Sequence, residues 1–160
     1  MTDLPATLRG AAASGSAASL LSIATLALLG RRDSGSAWAP LNAPSHWLFG
    51  RRALRQDAPS LRYSATGLVT HHLSAIFWGP FYEALLRRGR RRAPGVARHL
   101  GEAALVTAGA AVVDLLLVPE RLTPGFEHRL SKRSLSCVYG AFAVGLAAGG
   151  LLWSRREARP

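Results

Sequence analysis

A single cysteine, Cys137, occurs among the 160 residues, so the chain can form no internal disulfide. Acidic residues are also scarce, with nine Asp and Glu against twenty Lys and Arg, which gives a formal net charge of +11. Charge is missing altogether from two 21-residue runs, Gly10 to Gly30 and Ser134 to Ser154, and Tyr63 to Tyr82 carries only two histidines. A soluble basic domain would interleave its charged and apolar residues, whereas this sequence separates them.

The uncharged runs have the length of membrane-spanning helices, which need about 20 apolar residues. A fourth run, from His99 to Val118, is equally long and apolar despite Glu102 and Asp114. The sequence therefore predicts an all-α protein, one integral membrane domain over residues 1–160. Its four transmembrane helices are expected near residues 9–30, 66–86, 99–118 and 134–153. The alternative, a soluble bundle with Ala-rich buried helices, rarely needs four uncharged helices of this length.

The positive charge lies where the apolar runs end. Nineteen of the twenty cationic residues are arginine, and many flank the runs as pairs such as Arg31-Arg32, Arg87-Arg88 and Arg155-Arg156. This pattern is typical of membrane helices whose ends contact anionic lipid headgroups, and it argues against nucleic acid as a partner. The heavy use of Ala, Arg, Gly and Leu suggests a GC-rich bacterial genome. We therefore expect a multi-pass protein of the bacterial cytoplasmic membrane.

Four helices place both termini on one side of the membrane, together with the loop over residues 87–98. That loop, RRGRRRAPGVAR, has six arginines and no acid, and short basic loops stay in the cytoplasm. Both termini are therefore predicted to be cytoplasmic, with Pro124-Gly125 on the periplasmic side. Ala37-Trp38-Ala39 resembles a signal cleavage site, but charged residues separate it from a run longer than a signal core, so the first helix is expected to remain.

The first loop, residues 31–65, contains the amphipathic string LNAPSHWLFGRRALRQ. Asn42 is a suitable N-cap, and Pro44 would follow just inside the helix. An apolar set faces a basic set, which favours a short helix lying in the headgroup plane: Trp47, Leu48, Phe49 and Leu54 against Arg51, Arg52 and Arg55. An irregular loop is the alternative.

Small residues recur every four positions on the first and fourth predicted helices. Gly10, Ser14, Ala18 and Ser22 form one strip; the other consists of Ala141, Gly145 and Gly149, and its last two residues form a GxxxG. Such strips let helix backbones approach closely in lipid. They can close the bundle, or join copies into a homo-oligomer or a larger membrane complex.

Two adjacent histidines interrupt the second run, in GLVTHHLSAIFWGPFYEALL. On a helical wheel His71 lies at the centre of the face opposite the lipid-facing residues Val69, Leu73 and Phe77, and His72 lies at its edge. Asp114 is four residues from the end of the third helix, and Tyr139 is five residues into the fourth. In an up-down bundle these positions share one depth, so we expect His71 and Asp114 to face each other with Tyr139 close by.

The two loops at the same end add further polar residues to this cluster: His46, Glu120, Glu127 and His128. Ionisable groups inside a membrane are costly and are usually paired or functional. One reading is a structural lock, in which Asp114 and His71 bond to each other or to Arg121 and Arg129. A second is a metal or haem site with His71, Asp114, His46 and His128 as candidate ligands. A third is the transport of protons or a solute.

No short motif decides between these readings. HExxH and CxxC spacings are missing, the sequence requires no cofactor, and neither Ser45 nor Ser74 lies in the nucleophile elbow of a hydrolase. The strings NAPSHW, GLVTHHLSAIFWGPFYE and RLTPGFEHRLS together resemble an uncharacterised family of small bacterial four-helix inner-membrane proteins. The resemblance implies the architecture and no chemistry. We expect a structural or accessory membrane component rather than an enzyme, with ligand binding at the periplasmic end as the alternative.

Overall fold

The computed structural model describes residues 4–88 and 94–157, which are almost entirely helical and contain no strand. Four long α-helices dominate: α1 (Leu4–Ser34), α4 (Thr66–Arg87), α5 (Val96–Val112) and α6 (Lys132–Glu157). Two short ones, α2 (Ala39–Asn42) and α3 (His46–Phe49), lie in the first loop. Most of the Arg-rich segment between α4 and α5, residues 89–93, lies outside the described residues.

Three of these helical segments are long and apolar enough to cross a membrane: Leu4–Ser34, Val96–Leu117 and Lys132–Glu157. They coincide with three of the four predicted spans and extend beyond most of their predicted ends. The second predicted span, 66–86, is also a continuous helix, α4, which encloses Pro80. Its histidines and its glutamate make it less apolar than the other three.

Helix α1 makes the most extensive contacts of the four long helices, with α6 on one side and α4 on the other. Helix α5 closes the bundle against α6 and, less closely, against α4. Going round the bundle, the order is therefore α1, α4, α5, α6. Among these four neighbouring pairs, α4 and α5 make the least extensive contacts in the described part of the chain.

Glycines allow the close contacts of α1. A Cβ on Gly149 of α6 would lie 2.6 Å from Cα of Ser14, and a Cβ on Gly15 would lie equally close to Cα of Ile76 in α4. Gly145 packs in the same way against Ala18. The small strips of the first and last helices thus close the bundle within one chain, which is one of the two roles that the sequence left open.

The first loop is helical, but it does not have the predicted geometry. Asn42 is not an N-cap, since the chain is already helical from Ala39 and the Asn42 side chain is fully buried. Its amide donates to the carbonyls of Gln56 (2.9 Å) and Ala58 (3.0 Å), and its oxygen accepts from the Ser64 hydroxyl. Residues 39–46 are therefore packed into the end of the bundle, because Asn42 satisfies backbone groups there instead of starting a surface helix.

Candidate functional site

A cavity of about 630 Å³ lies between α4 and α5, at the end of the bundle that carries the first and third loops. It is bounded by Thr70 to Trp78 of α4, Ala110 to Val118 at the end of α5, and Val138 to Phe142 of α6. Leu73 and Phe77 belong to its wall and are also about 60% exposed on the outer face of α4. The cavity therefore opens sideways, through the gap between α4 and α5.

The cavity wall is apolar and rich in aromatic rings. Six rings contribute to it: Trp47, Phe77, Trp78, Phe126, Tyr139 and Phe142. The indole N–H of Trp47 donates to the Thr123 carbonyl at 2.7 Å, which fixes the first loop against the third. Among the residues that the structure describes, no Lys or Arg lines the cavity, and Asp114 is its one carboxylate.

His71 is held at the cavity wall by a hydrogen bond that the sequence analysis missed. Its Nε2 lies 2.8 Å from the hydroxyl of Ser22 on α1, and that hydroxyl in turn donates to the Ala18 carbonyl at 2.8 Å. The Ser22 hydroxyl has one proton, and it donates this proton to the Ala18 carbonyl. The contact between Ser22 and His71 is therefore a hydrogen bond when Nε2 of His71 carries the proton and donates it to the hydroxyl oxygen. In the neutral ring, Nδ1, for which the described residues provide no hydrogen-bond partner, is then an acceptor on a residue that lines the cavity.

Asp114 lies on the opposite wall, in a π-helical turn that ends α5 at Val113–Leu117. The turn is closed by a 3.0 Å bond from the Val118 N–H to the Val113 carbonyl. Tyr139 of α6 donates its hydroxyl to Oδ2 of Asp114 at 3.1 Å. Single π-turns inside helices often occur at functional sites, and here the turn carries the one acidic side chain of the cavity.

The direct His71–Asp114 bond of the structural-lock reading is not formed. The two side chains line the same cavity, but each is bonded to a residue on another helix, and no hydrogen bond joins them within the described chain. The predicted partners Arg121 and Arg129 do not take their place: Arg129 donates to the Leu54 carbonyl and to Asp57. Tyr139 does lie beside Asp114, at the expected depth.

Of the remaining predicted cluster residues, Glu127 lies close enough to Asp114 and Tyr139 to interact electrostatically with both, whereas the others lie apart from the His71–Asp114 cavity. His46 is buried outside the cavity, with Nδ1 2.8 Å from the Ala43 carbonyl and Nε2 3.3 Å from the Glu120 carbonyl. The Glu120 side chain pairs with Arg51 at 3.7 Å, and Glu127 pairs with His128 at 3.6 Å.

The candidate metal ligands His71, Asp114, His46 and His128 therefore form no joint site. Within residues 4–88 and 94–157, no group of three His, Cys, Asp or Glu side chains could hold a metal ion. His72, beside His71, is half-buried and does not line the cavity.

A second buried polar pair at the opposite end was also missed. The Tyr82 hydroxyl lies 2.6 Å from Nδ1 of His99, and both side chains are completely buried. His99 Nε2 has no partner among the described residues. The sequence carried a signal for this, because His99 lies four residues before Ala103 on the interior strip of α5 that continues through Thr107 to Ala110.

No protein-family model matches the chain, and neither a curated protein nor a solved structure is detectably similar to it.

Proposed function

We propose that the chain is a four-span protein of the bacterial inner membrane that binds an amphiphilic small molecule in the cavity between α4 and α5. The observation that carries the proposal is the cavity itself. It has room for a ligand of small-molecule size and a mainly apolar, aromatic wall, and its few polar groups include His71 on α4 and Asp114 at the end of α5. A purely structural bundle gains nothing from leaving this volume unfilled, since packing is what holds membrane helices together.

The membrane assignment of α4 rests on its length and its outer face. Its 22 residues span about 33 Å, enough for the hydrocarbon core of about 30 Å. Val69, Leu73 and Phe77 are exposed on one side, whereas His71 and Ser74 point into the cavity and Glu83 is buried. A helix with this distribution presents an apolar surface to lipid. Membership of the family of small four-helix inner-membrane proteins stays a proposal that rests on the three sequence strings.

The geometry favours binding over catalysis. The Ser22 hydroxyl and the His71 ring are spaced like a nucleophile and its base, at 2.8 Å. Ser22 lies in the middle of α1, however, where the neighbouring backbone N–H groups are used by the helix and cannot form an oxyanion hole. Its own proton is directed to the Ala18 carbonyl. We therefore interpret the contact as an anchor that orients His71.

A cavity-filling substitution tests the proposal. Ala110 lines the cavity and is 2% exposed, whereas Ala108, on the same helix, faces outward. Ala110→Phe should fill the cavity, and Ala108→Phe adds the same ring to the lipid-facing surface. We expect mass spectrometry of purified protein to detect a stoichiometric amphiphile in wild type and Ala108→Phe, and its loss in Ala110→Phe. Equal amounts of co-purifying amphiphile in all three proteins would contradict the proposal.

A further inference from the structure

The electrostatic character of the cavity is opposite to that of the chain. The chain has a net charge of +11, yet the described cavity wall has no cationic side chain and one carboxylate, Asp114. The described arginines of the adjoining loops do not line the cavity. Arg51 and Arg121 line a separate groove of about 330 Å³ beside His46 and Glu120, and Arg129 is bonded to the first loop. An anionic headgroup would find no counter-charge in the cavity.

We propose that the amphiphile bound in this cavity is a cation, with an ammonium head that carries N–H groups. The inference rests on the proposed function and names the chemical class of its ligand. Its basis is the juxtaposition of Asp114, the accepting Nδ1 of His71 and the aromatic wall.

Asp114 is placed to pair with such a head. Its Oδ2 accepts from Tyr139, and Oδ1 accepts no hydrogen bond from the described residues. An unpaired carboxylate in an apolar site is costly, and an ammonium ion that enters beside it brings a compensating charge and donors for the free oxygen. The neutral His71 ring, which Ser22 orients, offers a second acceptor on the facing wall.

The aromatic wall suits the same ligand. A cation is attracted to the face of an aromatic ring, most strongly to Trp, and groups of aromatic rings are a known arrangement for binding ammonium ligands. Trp47 and Trp78 both line the cavity, and the bond from Trp47 to Thr123 holds that ring in place. An alkyl tail has an exit between α4 and α5, past Leu73 and Phe77.

Fluorescence quenching by three matched probes tests the inference. The protein, with Trp38→Phe and Trp153→Phe so that only the two cavity tryptophans emit, is placed in phosphatidylcholine nanodiscs. It is titrated with an octadecyl chain spin-labelled at one fixed carbon and ending in an ammonium, an alcohol or a carboxylate. The quenching that is lost when Ala110→Phe is introduced is assigned to probe bound in the cavity. We expect the ammonium probe to reach half-quenching at about a tenfold lower concentration than the carboxylate probe, as one added ion pair and its ring contacts provide.

Charge variants then connect the preference to Asp114. Asp114→Asn should abolish the preference for the ammonium probe while the alcohol probe binds as before. Asp114→Glu should retain it, and Glu102→Gln, which removes a carboxylate paired with Arg98 on the same helix, should leave it unchanged. The alcohol probe also reports whether each variant has kept its cavity.

The outcomes separate the two proposals. Cavity quenching that is equal for all probes, or strongest for the carboxylate, overturns the ammonium inference and leaves amphiphile binding standing. A preference that survives Asp114→Asn overturns it as well. If no probe quenches beyond the Ala110→Phe level, the proposed function fails and the inference fails with it.

Discussion

At the scale of single residues, the site is built from side chains that each have one partner on another helix. His71 is held by Ser22 of α1, and Asp114 is held by Tyr139 of α6. Neither bond crosses the cavity, so the space between α4 and α5 stays open. The partners on neighbouring helices thus hold His71 and Asp114 at the cavity wall without closing the cavity.

The Ser22–His71 bond should contribute measurably to stability. Ser22→Ala removes the acceptor of His71 Nε2, and we expect it to lower the free energy of unfolding by about 0.6 kcal/mol, the average for hydrogen bonds in membrane bundles, and by no more than about 1.7 kcal/mol. A double-mutant cycle with His71→Phe, measured by unfolding in mixed micelles, should show a coupling of the same size.

Ser19 offers a matched control for this prediction. It is buried on the same helix, one turn away, and its hydroxyl has no partner among the described residues. Ser19→Ala should therefore be neutral or slightly stabilising, with no coupling to His71. A coupling to His71 at Ser19 as large as that at Ser22 would show that the bond is not specific.

The sequence predicted which residues of α4 face outward and inward, but it did not predict the hydrogen-bond partner of His71. Val69, Leu73 and Phe77 are exposed as predicted, and His71 faces inward, because a helix of this length fixes which residues share a face. Periodicity carries no information on which of several inward-facing polar groups will pair. It therefore placed Asp114 and Ser22 on interior strips and could not tell which of them would bond to His71.

At the scale of secondary-structure elements, the long helices could be predicted from composition, whereas the structure of the first loop could not. In lipid, an apolar run of about 20 residues must satisfy its backbone groups within itself, which explains α1, α5 and α6. The first loop is instead decided by tertiary contacts. Asn42 bonds to Gln56, Ala58 and Ser64, and no local pattern near Asn42 indicates those partners.

Glycine at position 149 should be required for the contact of α6 with α1. The Cβ of Gly149→Ala would lie 2.6 Å from Cα of Ser14 and 2.9 Å from the Ala13 carbonyl oxygen, so the helices must separate. We expect a loss of about 1–3 kcal/mol in the free energy of unfolding, as for other overpacked sites.

Gly140, on the same helix, is the matched control because nothing lies within 4 Å of a Cβ placed there. Gly140→Ala should be neutral, or stabilising by up to about 1 kcal/mol, since alanine favours helix. If both substitutions have the same effect on unfolding, helix propensity and not packing is what matters at Gly149.

At the scale of the whole molecule, the four-span proposal makes a prediction about topology. Reporter fusions at Gly95 should report the cytoplasm, and fusions at Gly125 should report the periplasm, since the Arg-rich segment before Gly95 resists translocation. A Gly125 fusion that reports the cytoplasm together with a Gly95 fusion that reports the periplasm would reverse the orientation. Fusions that report the same side at both positions would show that residues 96–117 do not cross.

Photolabelling with an amphiphile that carries a diazirine on its chain tests the central claim, ligand binding between α4 and α5, most directly. Peptide mapping should place saturable adducts on cavity residues from three helices, such as Ala75, Val113 and Phe142, and Ala110→Phe should abolish them. Outward residues such as Leu105 and Leu152 should be labelled weakly and without saturation in both proteins. Labelling confined to outward residues, or unchanged by Ala110→Phe, would contradict the account.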